Sequence, residues 1–359
     1  MTSKGMISTP LTSRLGMQVP IMLAGMASIS TGHLASAVSN AGGLGVIGGA
    51  FMAPKDLQTE ISELKRLLLS PDLPWGVDLL LPKVGGSARA TNKDYTRGAL
   101  NELVDILIQE RPTLFVCAVG VPPKWVVDRL HAAGIYVMNM VGSPKHVKKA
   151  LVVGVDMICA QGTEAGGHTG DVATMPLIPL CVDACRDVVS PLDGQPVAVV
   201  GAGGIFDGRG IAAALALGAQ AVWVGTRFVT AEESSAGPRH KNAIINATAD
   251  NTMRTTIFSG RPMRVYQSDY VKKWETNRQN ERDELLQRGK RPYKNDLQKN
   301  KDAGTPLDFL DTYPIIFGQA SGGIFQEQSA ATIVEEMTKE AFDIMKRNAL
   351  KYLGVSSRL

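Results

Sequence analysis

Of the five histidines in this chain of 359 residues, His168 has the most suggestive neighbours, because it closes the string Gln161-Gly-Thr-Glu-Ala-Gly-Gly-His168. An imidazole titrates near neutrality, so it suits the removal of a proton from carbon or nitrogen. A lone histidine is by default a hydrogen-bonded structural one, but a place behind Glu164 and two glycines, on a loop, favours chemistry. Glu164 and His168 as metal ligands would need a third ligand that the sequence does not offer, so no metal is expected. His33, His131, His146 and His240 fall on helical segments, where surface or capping roles suffice.

A second kind of chemistry is suggested by glycine. Gly201-Ala-Gly-Gly204 and Gly225-Thr226 each follow an apolar run. Glycines at such places let backbone N–H groups approach an anion with no side chain in the way. The first loop runs into a helix starting near Asp207, whose N-terminus would add free N–H donors and a favourable dipole. Gly203, Gly204, Gly225 and Thr226 are therefore read together as a phosphate cradle. Gly43-Leu-Gly45-Val-Ile-Gly48 matches GxGxxG, but a helix precedes it and a strand follows. The dinucleotide fingerprint needs the reverse order, so this match is set aside.

These residues must be carried by a scaffold, and the pattern supplies one. Eight apolar runs read as strands: Pro20–Met26, Leu44–Gly49, Trp75–Leu81, Thr113–Gly120, Ile135–Val141, Val155–Gln161, Pro196–Gly203 and Ala221–Phe228. They mostly lack period-two alternation, as strands buried on both faces should. Helical patterns lie between them, several behind a capping residue such as Thr31, Ser143 or Asp207. Eight strand–helix units with right-handed crossovers favour an α/β fold, a closed (β/α)8 TIM barrel, with an open doubly wound sheet as the alternative. In such barrels the site lies on the loops after the strands, and phosphate binds after strands seven and eight, where the cradle falls. The expected organisation is a barrel over 1–249, an insertion over 250–325 that is mainly helical and lies on the barrel mouth as a lid, and a C-terminal helix over 326–359 packing back on the barrel. Phe317-Gly-Gln-Ala-Ser-Gly-Gly-Ile324 is a small-residue loop able to approach a ligand, which makes Ser321 and Gly322 candidate substrate contacts.

Composition narrows the classes. Lys and Arg total 38 against 34 Asp and Glu, a net of +4, too balanced to argue for a nucleic-acid partner. Residues 272–301 hold ten Lys/Arg and five Asp/Glu. That segment reads first as a solvated face and second as a contact surface for an anionic ligand. The stretch 15–54 has no charged residue but carries eight glycines, so it reads as buried strand–helix–strand and no membrane segment is expected. Cys117 and Cys159 lie in strands as small hydrophobes, and Cys181 and Cys185 have no metal-binding company; a reducing compartment fits this usage. The N-terminus lacks the order of a signal peptide. Ser357-Arg358-Leu359 is a conservative variant of the Ser-Lys-Leu address, so a peroxisomal location is expected, with the cytoplasm as the alternative.

Pro20-Ile-Met-Leu-Ala-Gly-Met26, Ala37-Val-Ser-Asn-Ala-Gly-Gly-Leu-Gly45, Ala160-Gln-Gly-Thr-Glu-Ala-Gly-Gly-His168, Gly201-Ala-Gly-Gly-Ile205 and Val224-Gly-Thr-Arg-Phe228 resemble the nitronate monooxygenase family, formerly called 2-nitropropane dioxygenases. The resemblance covers roughly residues 7–247 and the Gly318-Gln319 loop. It implies an FMN-binding barrel that oxidises alkyl nitronates, and in some cases nitroalkanes, with O2 to carbonyl compounds and nitrite. By the same resemblance His168 is the base, and the flavin is held by Ala24, Gly25, Met26, Gln161, Gly166 and Gly167, with its phosphate on Gly203, Gly204, Gly225 and Thr226. Asp78 stands where the family often has Asn; it would accept from a flavin ring N–H, and its charge would change the flavin's electronics. The insertion is not part of the family's minimal pattern. A related FMN barrel that reduces enoyl thioesters with NAD(P)H, a flavin oxidase of a specialised metabolite and a flavin-binding scaffold are the alternatives. A homodimer is left open.

Overall fold

The computed structural model describes residues 7–305, 307 and 312–353. Ser357–Leu359, read above as an address, lie outside the described residues. The strands in chain order are β1 (Ile21–Leu23), β2 (Gly45–Gly48), β3 (Trp75–Leu80), β4 (Leu114–Ala118), β5 (Tyr136–Val141), β6 (Met157–Gln161), β7 (Gly167–His168), β8 (Ala198–Ala202), β9 (Ala221–Val224), β10 (Thr252–Thr255) and β11 (Met263–Tyr266). Eight of them form one parallel sheet in the order β1-β9-β8-β6-β5-β4-β3-β2. Its edges meet in a parallel bridge between Met22 and Leu44, with Leu23 N donating to Leu44 O at 2.9 Å and Leu44 N to Ile21 O at 3.0 Å. The sheet is thereby closed into the expected (β/α)8 barrel. Each expected strand forms and is shorter than its apolar run. The eighth ends at Val224 because Gly225 turns the chain into a single helical turn, Thr226–Val229.

Both faces of the strands are apolar for two different reasons. Ile21, Leu23, Ile47, Val77, Phe115, Val137, Ile158 and Val222 look outward and pack under the helices. Met22, Leu44, Val46, Leu114, Val116, Met138, Met157, Val200 and Trp223 fill the barrel. The helix Pro10–Leu15 closes the bottom, its Leu11 and Leu15 joining the inner cluster. Each such side chain taken fully out of water contributes about 1.5–3 kcal/mol. Cys117 lies in the outer cluster and Cys159 in the inner one; both are buried free thiols. Toward the strand ends the inner face becomes small. Period-two alternation leads from Val46 to Gly48, from Val116 to Ala118 and from Val200 to Ala202. The mouth is thus left open above a filled core.

The insertion is helical, as expected, over Asp269–Thr276, Gln279–Gln287 and Pro292–Asp302. It begins, however, with a hairpin. β10 pairs with β11, and β11 pairs antiparallel with β7, setting Met263 opposite His168. The strands Thr252-Met-Arg-Thr255 and Met263-Arg-Val-Tyr266 are short and carry arginine, so they read as polar coil in sequence. A small core of Ile257, Phe258, Val265, Val271, Trp274 and Tyr293 holds this unit together. Asp296 is its polar centre, accepting from Trp274 Nε1 at 3.1 Å, Tyr270 OH at 3.0 Å and Arg278 Nη1 at 2.8 Å.

The chain then returns across the barrel as a strap through Phe317 and the 3-10 turn Gln319–Gly323. The final helix, Ala330–Tyr352, is capped by Ser329, whose hydroxyl accepts from Thr332 N at 3.1 Å. It packs between the helices Gly208–Ala216 and Gly32–Asn40 in the outer ring. Among the described residues no helix is long and apolar enough to cross a membrane.

Candidate active site

β6 delivers Gln161 to the mouth, and the loop after it turns back through Gly167 into β7. Gln161 Nε2 donates to His168 O at 2.6 Å, fixing the backbone of the histidine. The ring is fixed from the insertion: His168 Nε2 lies 2.9 Å from Ser259 Oγ. That hydroxyl also accepts from Arg261 N at 3.2 Å. Among the described residues Nδ1 has no hydrogen-bond partner. Burial first, and the nearby Arg261 guanidinium second, push His168 down to about 4. The imidazole is therefore neutral at pH 7, next to a cation. Arg261 is itself aimed by Asn92 Oδ1 at 3.1 Å and Val119 O at 3.1 Å.

Ser259, Arg261 and Met263 escaped the reading of the sequence. The signal available was Ser259-Gly260-Arg261-Pro262, a turn string between two short runs.

Asp78 sits on the inner face of β3, 5 % exposed, and its Oδ1 has no partner. Burial pushes its carboxyl well above the usual carboxylate range. This corrects the expectation of a charged group. A neutral carboxyl offers one donor and one acceptor, as an asparagine would. Gly25 is what admits it, since a Cβ there would fall 2.3 Å from Asp78 Cβ. The raised pKa has a sign that can be checked. The native state keeps this proton to higher pH than the unfolded chain does, so stability falls as pH rises from the ordinary carboxylate range through the native pKa. Asp78→Asn removes that loss. Its flavin-free form is expected to melt higher than the parent at about pH 8, with the gap closing toward pH 5. A gap that stays constant across that range would show that Asp78 ionises normally.

The cradle loops are in place. Gly203 (φ 100°) and Gly204 (φ 73°) hold backbone that only glycine adopts easily. A Cβ at Gly203 would meet Thr174 Oγ1 at 2.8 Å and Gly162 N at 3.0 Å. Among the described residues the N–H groups of Gly203, Gly204 and Gly225 have no hydrogen-bond partner. The next helix differs from expectation. Gly208 N donates to Glu340 Oε2 at 2.7 Å and Gly210 N to Asp207 Oδ1 at 3.0 Å, so donors at its N-terminus are already taken. An anion is left with the loop amides. Thr226 Oγ1 accepts from Gly318 N at 3.0 Å and keeps its own proton to give. Ala24 and Met26 flank Gly225, while the Met26 amide is engaged by Ser30 Oγ at 2.7 Å. These features suit a flavin mononucleotide: an amide cradle that a Cβ would fill, small residues at the mouth and an orphaned buried carboxyl oxygen.

Other expected contacts are spent on scaffold. A Cβ on Gly166 would fall 2.6 Å from Phe317 C, so this glycine faces the strap rather than a cofactor, and Gly167 pairs with Arg264. Ser321 is fully buried with its hydroxyl on Thr248 O at 3.3 Å, and Gly322 packs on Ala249. The 3-10 turn lies with Ser321 inward and closed to substrate, whereas Gly322 is exposed. Glu164 accepts from Thr174 N at 3.0 Å, at the start of the helix Thr174–Cys185. His131 and His240 are more than surface residues: the first lies 3.0 Å from the buried Asp156 carboxylate, and the second donates from Nε2 to Ile316 O at 2.8 Å.

Residues 8–340 match the sequence profile described as nitronate monooxygenase. A Staphylococcus saprophyticus subsp. saprophyticus protein named "Probable nitronate monooxygenase" is 30% identical over 378 residues, covering 95% of this chain and 99% of its own. Among solved structures, FabK from Thermotoga maritima is 30% identical with a TM-score of 0.76, covering 95% of this chain and 98% of its own. Nitroalkane oxidase from Streptomyces ansochromogenes is 25% identical with a TM-score of 0.76, covering 95% of this chain and 99% of its own.

Proposed function

The chain belongs to the nitronate monooxygenase family of flavin oxidoreductases, and on that premise we propose that it holds FMN in the barrel mouth and oxidises anionic alkyl nitronates with O2, releasing a carbonyl compound and nitrite. FMN, when bound, supplies the electron transfer to O2. The protein's part is binding, orientation and charge. The N–H groups of Gly203, Gly204 and Gly225 and the hydroxyl of Thr226 receive the phosphate, and neutral Asp78 meets a polar edge of the ring. Gln161 and Ser259 hold His168 from two sides, leaving Nδ1 for the substrate.

The observation that carries the nitronate over the neutral nitroalkane is the pairing of His168, pushed down to about 4, with Arg261. A base whose conjugate acid is that strong takes a carbon-bound proton poorly at pH 7. A neutral imidazole beside a guanidinium receives an anion well. Propyl nitronate is expected to be turned over at least about ten times faster, in kcat/KM, than 1-nitropropane. Flavin absorbance of the purified protein and O2 uptake check this. A colourless protein that takes up no FMN would overturn the cofactor, and a yellow protein inert to propyl nitronate the substrate.

A further inference from the structure

Beside the reaction site lies a group of cations of which the nitronate reading uses only Arg261. The segment 82–98, between β3 and the helix Leu100–Glu110, carries Lys83, Arg89, Lys93 and Arg97 against one acid, Asp94. Asp94 is occupied at home, accepting from Thr96 N at 2.8 Å and Gly98 N at 2.6 Å. The insertion brings Arg261, Arg291 and Lys294 to the same rim. Arg89 reaches Gly260 O at 3.4 Å, and Arg261 reaches Asn92. Lys93 is pushed below its ordinary range by burial and then by Arg291, Lys294 and Arg97. Arg261 is likewise lowered by burial and by Arg89. Among the described residues no carboxylate pairs with Arg89, Lys93, Arg97, Arg261, Arg291 or Lys294. Elsewhere in the insertion Arg278, Arg282 and Lys299 do find acids.

An aromatic face lies in the same place. Phe51 follows β2, is 42 % exposed and has φ 69°, a left-handed conformation that a bulky side chain rarely adopts. Its ring stands 4.9 Å from that of Tyr95, and Lys93 Nζ lies 4.8 Å from the Phe51 ring centre. Strain of this kind is kept where the surroundings enforce it, often at ligand clamps. Unpaired cations repel one another until an anion relieves them. An exposed ring offers a stacking face to a base, and cations spread over three segments suit several phosphate groups rather than one.

We propose that this rim, running outward from His168 through Arg261 to Lys93 and Phe51, binds the phosphorylated purine nucleotide carried by coenzyme A thioesters and by pyridine dinucleotides. The proposal rests on the barrel mouth being the reaction site but not on a nitronate being the substrate. A thioester would present its acyl end to His168; a dinucleotide would bring its nicotinamide there.

Calorimetric titration of the flavin-loaded protein with coenzyme A, NADH and NADPH tests it. At least one is expected to bind in the micromolar range, more weakly as salt rises. A Lys93→Gln/Arg291→Gln double variant is expected to weaken that binding at least ~10-fold and Phe51→Ala about 5-fold, with flavin content and propyl nitronate turnover like the parent's. Binding of coenzyme A alone identifies a thioester handle; binding of a dinucleotide with bleaching of the flavin identifies a reductant. Absence of binding by all three, or binding that the double variant leaves intact, overturns the proposal. Propyl nitronate turnover is read on the same samples, so that failure would leave the nitronate assignment standing.

Discussion

Replacing His168 by asparagine is expected to lower turnover of neutral 1-nitropropane by at least ~100-fold, the lower end of what a positioned base supplies, while costing propyl nitronate only about 10-fold, the worth of one hydrogen bond to a charged group. The two substrates differ by the proton that a base would have to take. With the neutral compound, the ring nitrogen left free by Ser259 is the acceptor. With the anion, the ring only orients. Flavin content should not change, because the cradle glycines belong to other strands. Parallel O2-uptake assays on both substrates, with flavin absorbance as the control, check the split. Equal losses on both would remove the base role and leave an orienting one. The parent's pH profile carries the same information. His168 is pushed down to about 4, so kcat/KM for the nitroalkane should fall only as pH approaches that value, and the variant should lack this limb.

Gly203→Ala is expected to weaken FMN binding at least ~100-fold, given two costs that add. At φ 100° a residue with a Cβ is strained by about 1–3 kcal/mol. The added carbon would also sit 2.8 Å from Thr174 Oγ1 and 3.0 Å from Gly162 N, so the loop must shift and its amides turn. Gly225→Ala is the informative companion. Its φ is −108° and its Cβ would meet only Ala24 Cβ at 3.4 Å and Met26 Sδ at 3.7 Å, ordinary contacts. The protein itself should therefore tolerate Gly225→Ala, and flavin lost from it would be lost to direct contact with the ligand. Flavin-to-protein ratios and FMN fluorescence titrations, with thermal melts to confirm folding, separate the two. A Gly203→Ala protein that stays as yellow as the parent would refute the cradle.

The eight barrel strands were legible because burial on both faces writes itself as short runs of Val, Ile and Leu, a local property. The glycine loops were legible because a positive φ or a close approach leaves few alternatives to glycine. What was hidden depends on distant chain. Glu340 reaches Gly208 from 132 residues away and takes a donor that looked free. Asp78 reads as a charge until the inner face of β3 closes around it. The hairpin that brings Ser259 and Arg261 to His168 is too short and too cationic to announce strands. Ser321 and Gly322 sit in a string of small residues that suits a ligand loop and a packed turn equally, and at Ser321 burial against Thr248 decides for the turn.

The pairing of β7 with β11 also divides the support of one residue between two parts of the chain. Gln161 holds the backbone of His168 from 7 residues away, and Ser259 holds its ring from 91. The first partner belongs to the barrel, whose closure sets Ile21 opposite Val222; the second belongs to the insertion, which has a small core of its own. A local opening of the hairpin would therefore free the ring of His168 while the barrel and its glycine loops stay closed.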